Sequence, residues 1–193
     1  MKNRKGFTLI ELLAVVLILG VIMILAIPNT IASLDRNKKT TYLQNAKTFV
    51  SLVQTKAQID KKLETPENYD QVLVVTLEYL DTNELVDSPY GDKYDTKRSF
   101  VLMTVGKDMT FEYYVHLVSR EQIGGDQSNP IYEYRGINLV NSIYLSGDDR
   151  FDRVSETSIV ADKICVLKVD ENFKDKNVWF LNDSDFPDSC SLD

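Results

Sequence analysis

Glu11 is the residue of this chain whose position demands an explanation from chemistry. It stands near the start of an apolar run, Phe7 to Ile27, in which Thr8 is the one other polar side chain. As a helix rising about 1.5 Å per residue, the run would be roughly 31 Å long, the thickness of the hydrocarbon core of a bilayer. A carboxylate deep in such a span costs about 2.5 to 3.5 kcal/mol on insertion scales, less near an interface, and a cationic partner would offset it. No Lys, Arg or His lies within the run. Other chemistry-bearing patterns are sparse. The single histidine, His116, sits in a strand-like stretch with no nucleophile motif beside it, and the sequence has no Gly-rich phosphate loop, HExxH or CxxC. The sequence therefore predicts no catalytic residues, no cofactor and no metal, and ranks assembly above catalysis.

Lys2, Arg4 and Lys5 precede the apolar run, so the positive-inside tendency puts the amino terminus in the cytoplasm and everything after Pro28 outside. A cleaved secretory signal peptide would have a shorter apolar centre, about 7 to 15 residues, followed by a small-residue cleavage site. Here Pro28, Asn29 and Thr30 follow, and the helical pattern continues. A plain membrane anchor leaves Glu11 without a purpose, unless the side chain simply snorkels to the headgroups.

Gly6-Phe7-Thr8-Leu9-Ile10-Glu11-Leu12-Leu13 behind a short basic leader resembles the class III signal of type IV pilins and of their relatives, the pseudopilins of type II secretion and the competence pilins. The resemblance implies that a prepilin peptidase cuts after Gly6 and methylates the new amine of Phe7. It also implies three parts: a leader at 1–6, a transmembrane and filament-core helix at 7–28, and an ectodomain at 29–193. The expected partners are identical or related pilin subunits, the prepilin peptidase, an inner-membrane assembly platform, and membrane lipid before assembly. The residue types suit these roles physically. Glycine lets a protease approach the backbone closely, and the cut creates a cation shortly before Glu11. In a bundle of identical helices staggered by about four residues, roughly 6 Å, the amine of one copy would face Glu11 of the next and set the register.

Gly20 and Pro28 punctuate the helix, one through weak propensity and the other through its missing amide donor. The resemblance implies that the stretch between them loses helical structure on assembly; a simple kink is the alternative. Beyond Pro28, Ile31, Leu34, Tyr42, Ala46, Phe49, Val50, Val53 and Ala57 recur at helical spacing, while Arg36, Lys38, Lys39, Lys47 and Lys56 take the opposite side. The pattern fades at Lys61-Lys62, ahead of Thr65-Pro66.

A short helix is expected around Thr76 to Leu80. Strands at Ser99 to Val105 and Met109 to Ser119 flank a turn at Gly106-Lys107-Asp108, with Phe111, Tyr113, Val115 and Leu117 facing the helix. Arg120 to Pro130 reads as a polar insertion, Ile131 to Leu145 as one or two short strands, and Ser158 to Val169 and Asn177 to Leu181 as further strands. The expected fold is α+β and pilin-like: a long amino-terminal helix packed on an antiparallel sheet of about four strands.

Cys165 and Cys190 fall in the part that topology places outside, where disulfides persist. A bridge between them would close a loop of about 25 residues, worth about 3 kcal/mol on the chain-entropy model; two unpaired thiols are the alternative. Pilin-like proteins often carry a comparable carboxy-terminal loop. The formal net charge is −7, and loss of the three leader cations would take it to −10, so direct nucleic-acid binding is not expected. Acidic clusters at Asp87, Asp92 and Asp95, at Asp148, Asp149 and Asp152, and at Asp183, Asp185 and Asp188 read as solvated turns. The segment from Asp87 to Asp92 is faintly similar to the calcium-loop region of major pseudopilins.

Together these readings predict a structural subunit, major or minor, of an extracellular type IV pilus-like filament. It would begin as a single-pass cell-membrane protein and end as part of the fibre. The alternatives are a pseudopilin of a secretion or competence apparatus, and a membrane-tethered binding or adhesion module. The long variable region favours a pilus subunit.

Overall fold

From Tyr42 to Val53 the apolar residues recur every three or four positions with no proline or glycine among them, so this segment must bury one stripe of a helix. In the computed structural model, which describes residues 8–68, 71–106, 108–145, 151–153 and 164–168, that stripe belongs to α1, Leu9–Ile59. The chain divides into two compact units, Met1–Lys38 and Lys39–Asp193, and α1 contributes to both.

In the second unit, Tyr42, Ala46, Phe49 and Val53 of α1 are completely buried. They pack with Leu73, Val75, Val101, Met103, Val115 and Leu117 of a sheet. A Val or Leu side chain buried in this way contributes about 1.5 to 3 kcal/mol. The helix ends where Tyr79 Oη donates to Asp60 Oδ2 at 2.6 Å, tying its last turn to the short helix α2, Leu77–Leu80. Thr76 caps α2 by accepting from the Tyr79 amide at 3.3 Å.

The sheet is antiparallel and, among the described residues, has seven strands: β1 (Gln71–Thr76), β2 (Lys93–Tyr94), β3 (Phe100–Val105), β4 (Phe111–Gly125), β5 (Pro130–Asn141), β6 (Phe151–Arg153) and β7 (Ile164–Lys168). Their order is β6-β5-β4-β3-β1-β7, with β2 pairing beside β4. The predicted long helix on an antiparallel sheet is the observed α+β fold, but the expectation of about four strands was too low. β1 was missed because Val72 to Val75 are buried on both faces and lack alternation. The supposed polar insertion is a hairpin: β4 runs on to Gly125, β5 begins at Pro130, and polarity there reflects exposure of both faces. β5 is one long strand, followed by a 3-10 turn at Ser142–Tyr144.

Two further expectations need correction. Ile31 and Leu34 are 62% and 54% exposed, so the buried stripe starts only at Tyr42. Phe111 is 47% exposed while Val115 and Leu117 are fully buried, so only the middle of β4 is core. The predicted strand at Ser158 to Val169 is seen as β7 within its described part, whereas Asn177 to Leu181 lies outside the described residues.

Register in β4 and β5 shifts between Val115 and Leu117, the mark of a bulge. There Tyr42 Oη lies 3.2 Å from both the Leu117 and the Arg135 carbonyl oxygens, so the helix side chain satisfies acceptors exposed beside the irregularity. Gly136 permits the close approach of the strands, since a Cβ there would stand 2.1 Å from the Leu117 carbonyl oxygen.

His116, on the sheet face away from α1, is 3% exposed, with its ring centre 5.0 Å from that of Phe100. Burial pushes its imidazole from the ordinary 6.5 down to about 4, against a smaller opposing effect of the Ile137 carbonyl. The folded state therefore holds a neutral ring where the unfolded chain would bind a proton. That contribution is complete above pH 6.5 and is lost as the pH falls toward 4. Denaturant titrations should show a loss of up to about 3 kcal/mol over this window, with a shallower slope in His116→Leu. Equal slopes would mean the ring is protonated in the fold.

Candidate functional site

Helix termini leave backbone donors without partners, and Thr8 and Glu11 answer that need at the start of α1. The Thr8 amide and hydroxyl both donate to Glu11 Oε2 at 2.8 Å. This half of a capping box, in which the third helical residue reaches back to the cap amide, went unrecognised in the sequence reading. Its signal, a Thr three residues before a Glu ahead of an apolar run, was legible. Glu11 thus has an intrachain role, but through one oxygen only. Among the described residues Oε1 takes no hydrogen bond.

Around Glu11 the helix shows oil on every side. Each large apolar side chain from Leu9 to Ile24 is more than half exposed, from 51% at Val15 and Val21 to 85% at Leu9. A helix apolar all round is stable only where lipid or other protein covers it. Among the described residues no helix is long and apolar enough to cross a membrane. The described side chains of this stretch stop at Ile24 and resume at Thr30.

α1 runs unbroken through Gly20 and Pro28. At Gly20 a Cβ would meet nothing within 4 Å, so the glycine is not there to admit a neighbour within the chain. Pro28 cannot donate to the carbonyl of Ile24, which leaves one ladder position open. Glu11, Gly20 and Pro28 therefore share one helix in the first unit. Gly6 and Phe7, the predicted processing pair, lie outside the described residues. Cys165 belongs to β7, where the register sets it opposite Val74; Cys190 lies outside the described residues.

The cluster at Asp92 and Asp95 is not the solvated turn that its composition suggested. Both side chains are 6% exposed. Asp92 accepts from Ser119 Oγ at 3.0 Å, contacts the Ser88 hydroxyl and lies 3.4 Å from Arg135 Nε. Asp95 pairs with Arg98 at 3.2 Å and Arg120 at 3.7 Å, and accepts from the Lys97 and Arg98 amides. The guanidinium groups in turn lie on tyrosines: Arg98 on Tyr134 at 4.8 Å, Arg120 on Tyr132 at 5.0 Å and Arg135 on Tyr90 at 5.0 Å. These carboxylates are occupied by arginines and hydroxyls, and among the described residues no group of His, Cys, Asp or Glu is arranged to hold a metal. Tyr132 and Tyr134 thus belong to this network, while Tyr144 is 57% exposed.

Comparison with known proteins bears on the first of these sites. The prokaryotic N-terminal methylation motif matches residues 1–27, the stretch that contains Gly6, Phe7, Glu11 and Gly20. No curated protein and no solved structure matches the chain.

Because Gly20 has room for a methyl group, Gly20→Ala should stiffen the helix without a clash, by about 1 kcal/mol. In detergent micelles, amide exchange over residues 20–28 should slow about fivefold. Unchanged exchange would remove Gly20 as the weak point of the helix.

Proposed function

We propose, on the premise that this chain carries the class III signal of type IV pilins and pseudopilins at residues 1–27, that it is a structural subunit of an extracellular type IV pilus-like filament. The observation that carries this reading is the exposed apolar surface of α1 from Leu9 to Ile24 with one carboxylate, Glu11, in its first turn. Such a surface suits two environments in succession. Lipid covers it while the subunit waits in the cell membrane with its amino terminus in the cytoplasm. The same stretch of neighbouring copies covers it in the fibre.

Cleavage after Gly6 by a prepilin peptidase releases the amine of Phe7, and methylation leaves that amine charged at neutral pH. Within the bundle it meets Glu11 of the neighbouring copy. Thr8 occupies Oε2, and among the described residues no donor occupies Oε1. A desolvated ion pair need not add net stability over an apolar contact, but an unpaired carboxylate in the bundle is unfavourable by several kcal/mol. The pair therefore rejects wrong staggers. Gly20 and Pro28 supply the stretch that yields when helices adjust on packing, and a Cys165–Cys190 bridge secures the carboxy-terminal part outside the cell. The same signal and helix would serve a pseudopilin of a secretion or competence apparatus.

Two substitutions separate the capping role of Glu11 from its charge. Glu11→Gln keeps an acceptor for Thr8 and removes the charge; Glu11→Ala removes both. Each variant should be processed and inserted, and each should reach shed fibres at a level at least about tenfold below the parent. If the glutamine variant assembles normally, capping is all that Glu11 provides. The mass of the chain recovered from parental fibres should begin at methylated Phe7, and Gly6→Leu should retain the leader and remain out of fibres. A fibre-borne chain that begins at Met1 would contradict the reading.

A further inference from the structure

Alternate residues of a strand point to opposite faces of a sheet. In the second unit Leu73 and Val75 of β1, Val101 and Met103 of β3, and Val115 and Leu117 of β4 pack with α1. Val72, Val74, Phe100, Leu102, His116 and Val118 therefore point to the outer face. None of these six is more than 3% exposed, and none belongs to the cluster on α1. The outer face is a second buried layer. Every described buried apolar residue outside the sheet, Leu63, Leu77, Leu85 and Leu145 included, belongs to the α1 cluster. Among the described residues, then, no element outside the sheet contributes apolar cover to the outer face.

We infer that residues 169–193 fold back over this face and form its cover. The strand β7 delivers the chain to the right place: it is the edge strand beside β1 and ends at Lys168, opposite Gln71, so the chain beyond it starts at the margin of the outer face. Cys165 holds the strand position opposite Val74, which lies on the outer side of the pleat. A bridge to Cys190 would draw the far part of the segment onto the same face. Residues 146–150 and 154–163 are joined to described elements at both ends. The latter have to reach between β6 and β7, at opposite edges of the sheet and roughly 24 Å apart across five strand spacings. That takes most of the roughly 35 Å that ten extended residues can span.

Composition suits a cover with two sides. The segment holds Phe173, Trp179, Phe180 and Phe186 with Val178 and Leu181, and each aromatic side chain can remove about 150 to 250 Å² from water. It also holds seven acids against Lys174 and Lys176. With its aromatics on the sheet and its acids in water, it closes over His116 and Phe100, whose rings already lie together. On that side the subunit then presents an acidic surface in place of a bare sheet.

The test uses the full chain in detergent micelles, with photoreactive benzoylphenylalanine in place of Trp179. The probe should attach within its own chain to residues 72–76, 100–104 or 114–118, as mass spectrometry of the digested monomer would show. Attachment anywhere else in the chain, such as 42–53 on the α1 side, or to no part of it, would overturn the packing. The filament reading is untouched by either result, since no fibre is involved. Independently, in a chain ending at Lys168, hydroxyl radicals should oxidise Phe100, Leu102 and His116 about tenfold faster than in the full chain, with Phe49 and Leu117 still protected. Unchanged rates would contradict the cover. If Phe49 is oxidised as readily, the shortened chain has unfolded and the full-chain probe decides.

Discussion

An apolar helix surface that water cannot wet carries one carboxylate that oil will not hold, and the proposed assembly turns on that conflict. From Leu9 to Ile24 the large side chains of α1 are exposed all round. The hydrophobic effect alone would let such helices slide past one another with little preference among registers. In the proposed filament a charge in the first turn would change this, because each wrong stagger would leave it unpaired in a low dielectric. The capping bonds from Thr8 hold the carboxylate against its own helix through Oε2.

The same helix changes solvent along its length. From Tyr42 to Val53 it gives a single stripe to the sheet, and the remaining faces of that segment are polar. There the ordinary rules of a soluble α+β domain apply: interior strands buried on both faces, a bulge whose carbonyls meet a tyrosine hydroxyl, and carboxylates neutralised by stacked arginines.

What the sequence made legible follows from the range of each signal. The apolar run, the Gly6-Phe7 junction and Glu11 are local patterns, and so are the helical spacing around Phe49 and the turn between β3 and β4. Long-range facts were not legible. Whether Asp95 meets water or Arg120, and Asp92 water or Ser119 and Arg135, depends on strands distant in the chain, and acids grouped near a glycine look the same in either case. β1 hid because burial on two faces erases alternation. The β4–β5 arm hid for the opposite reason, since exposure on two faces makes a strand read as a loop. The capping bonds between Thr8 and Glu11 are local too, since the two residues stand three apart.

The central claim is a distance between two copies, and solid-state NMR can measure it in fibres grown from a mixture of chains. Half would carry ¹⁵N at the Phe7 amine and half ¹³C at the Glu11 carboxyl, so any transfer between these labels must cross from one chain to another. The account predicts a cross-peak corresponding to a separation of about 4 Å, the range of an ion pair. Fibres that are well ordered yet show no transfer between the two labels would contradict it.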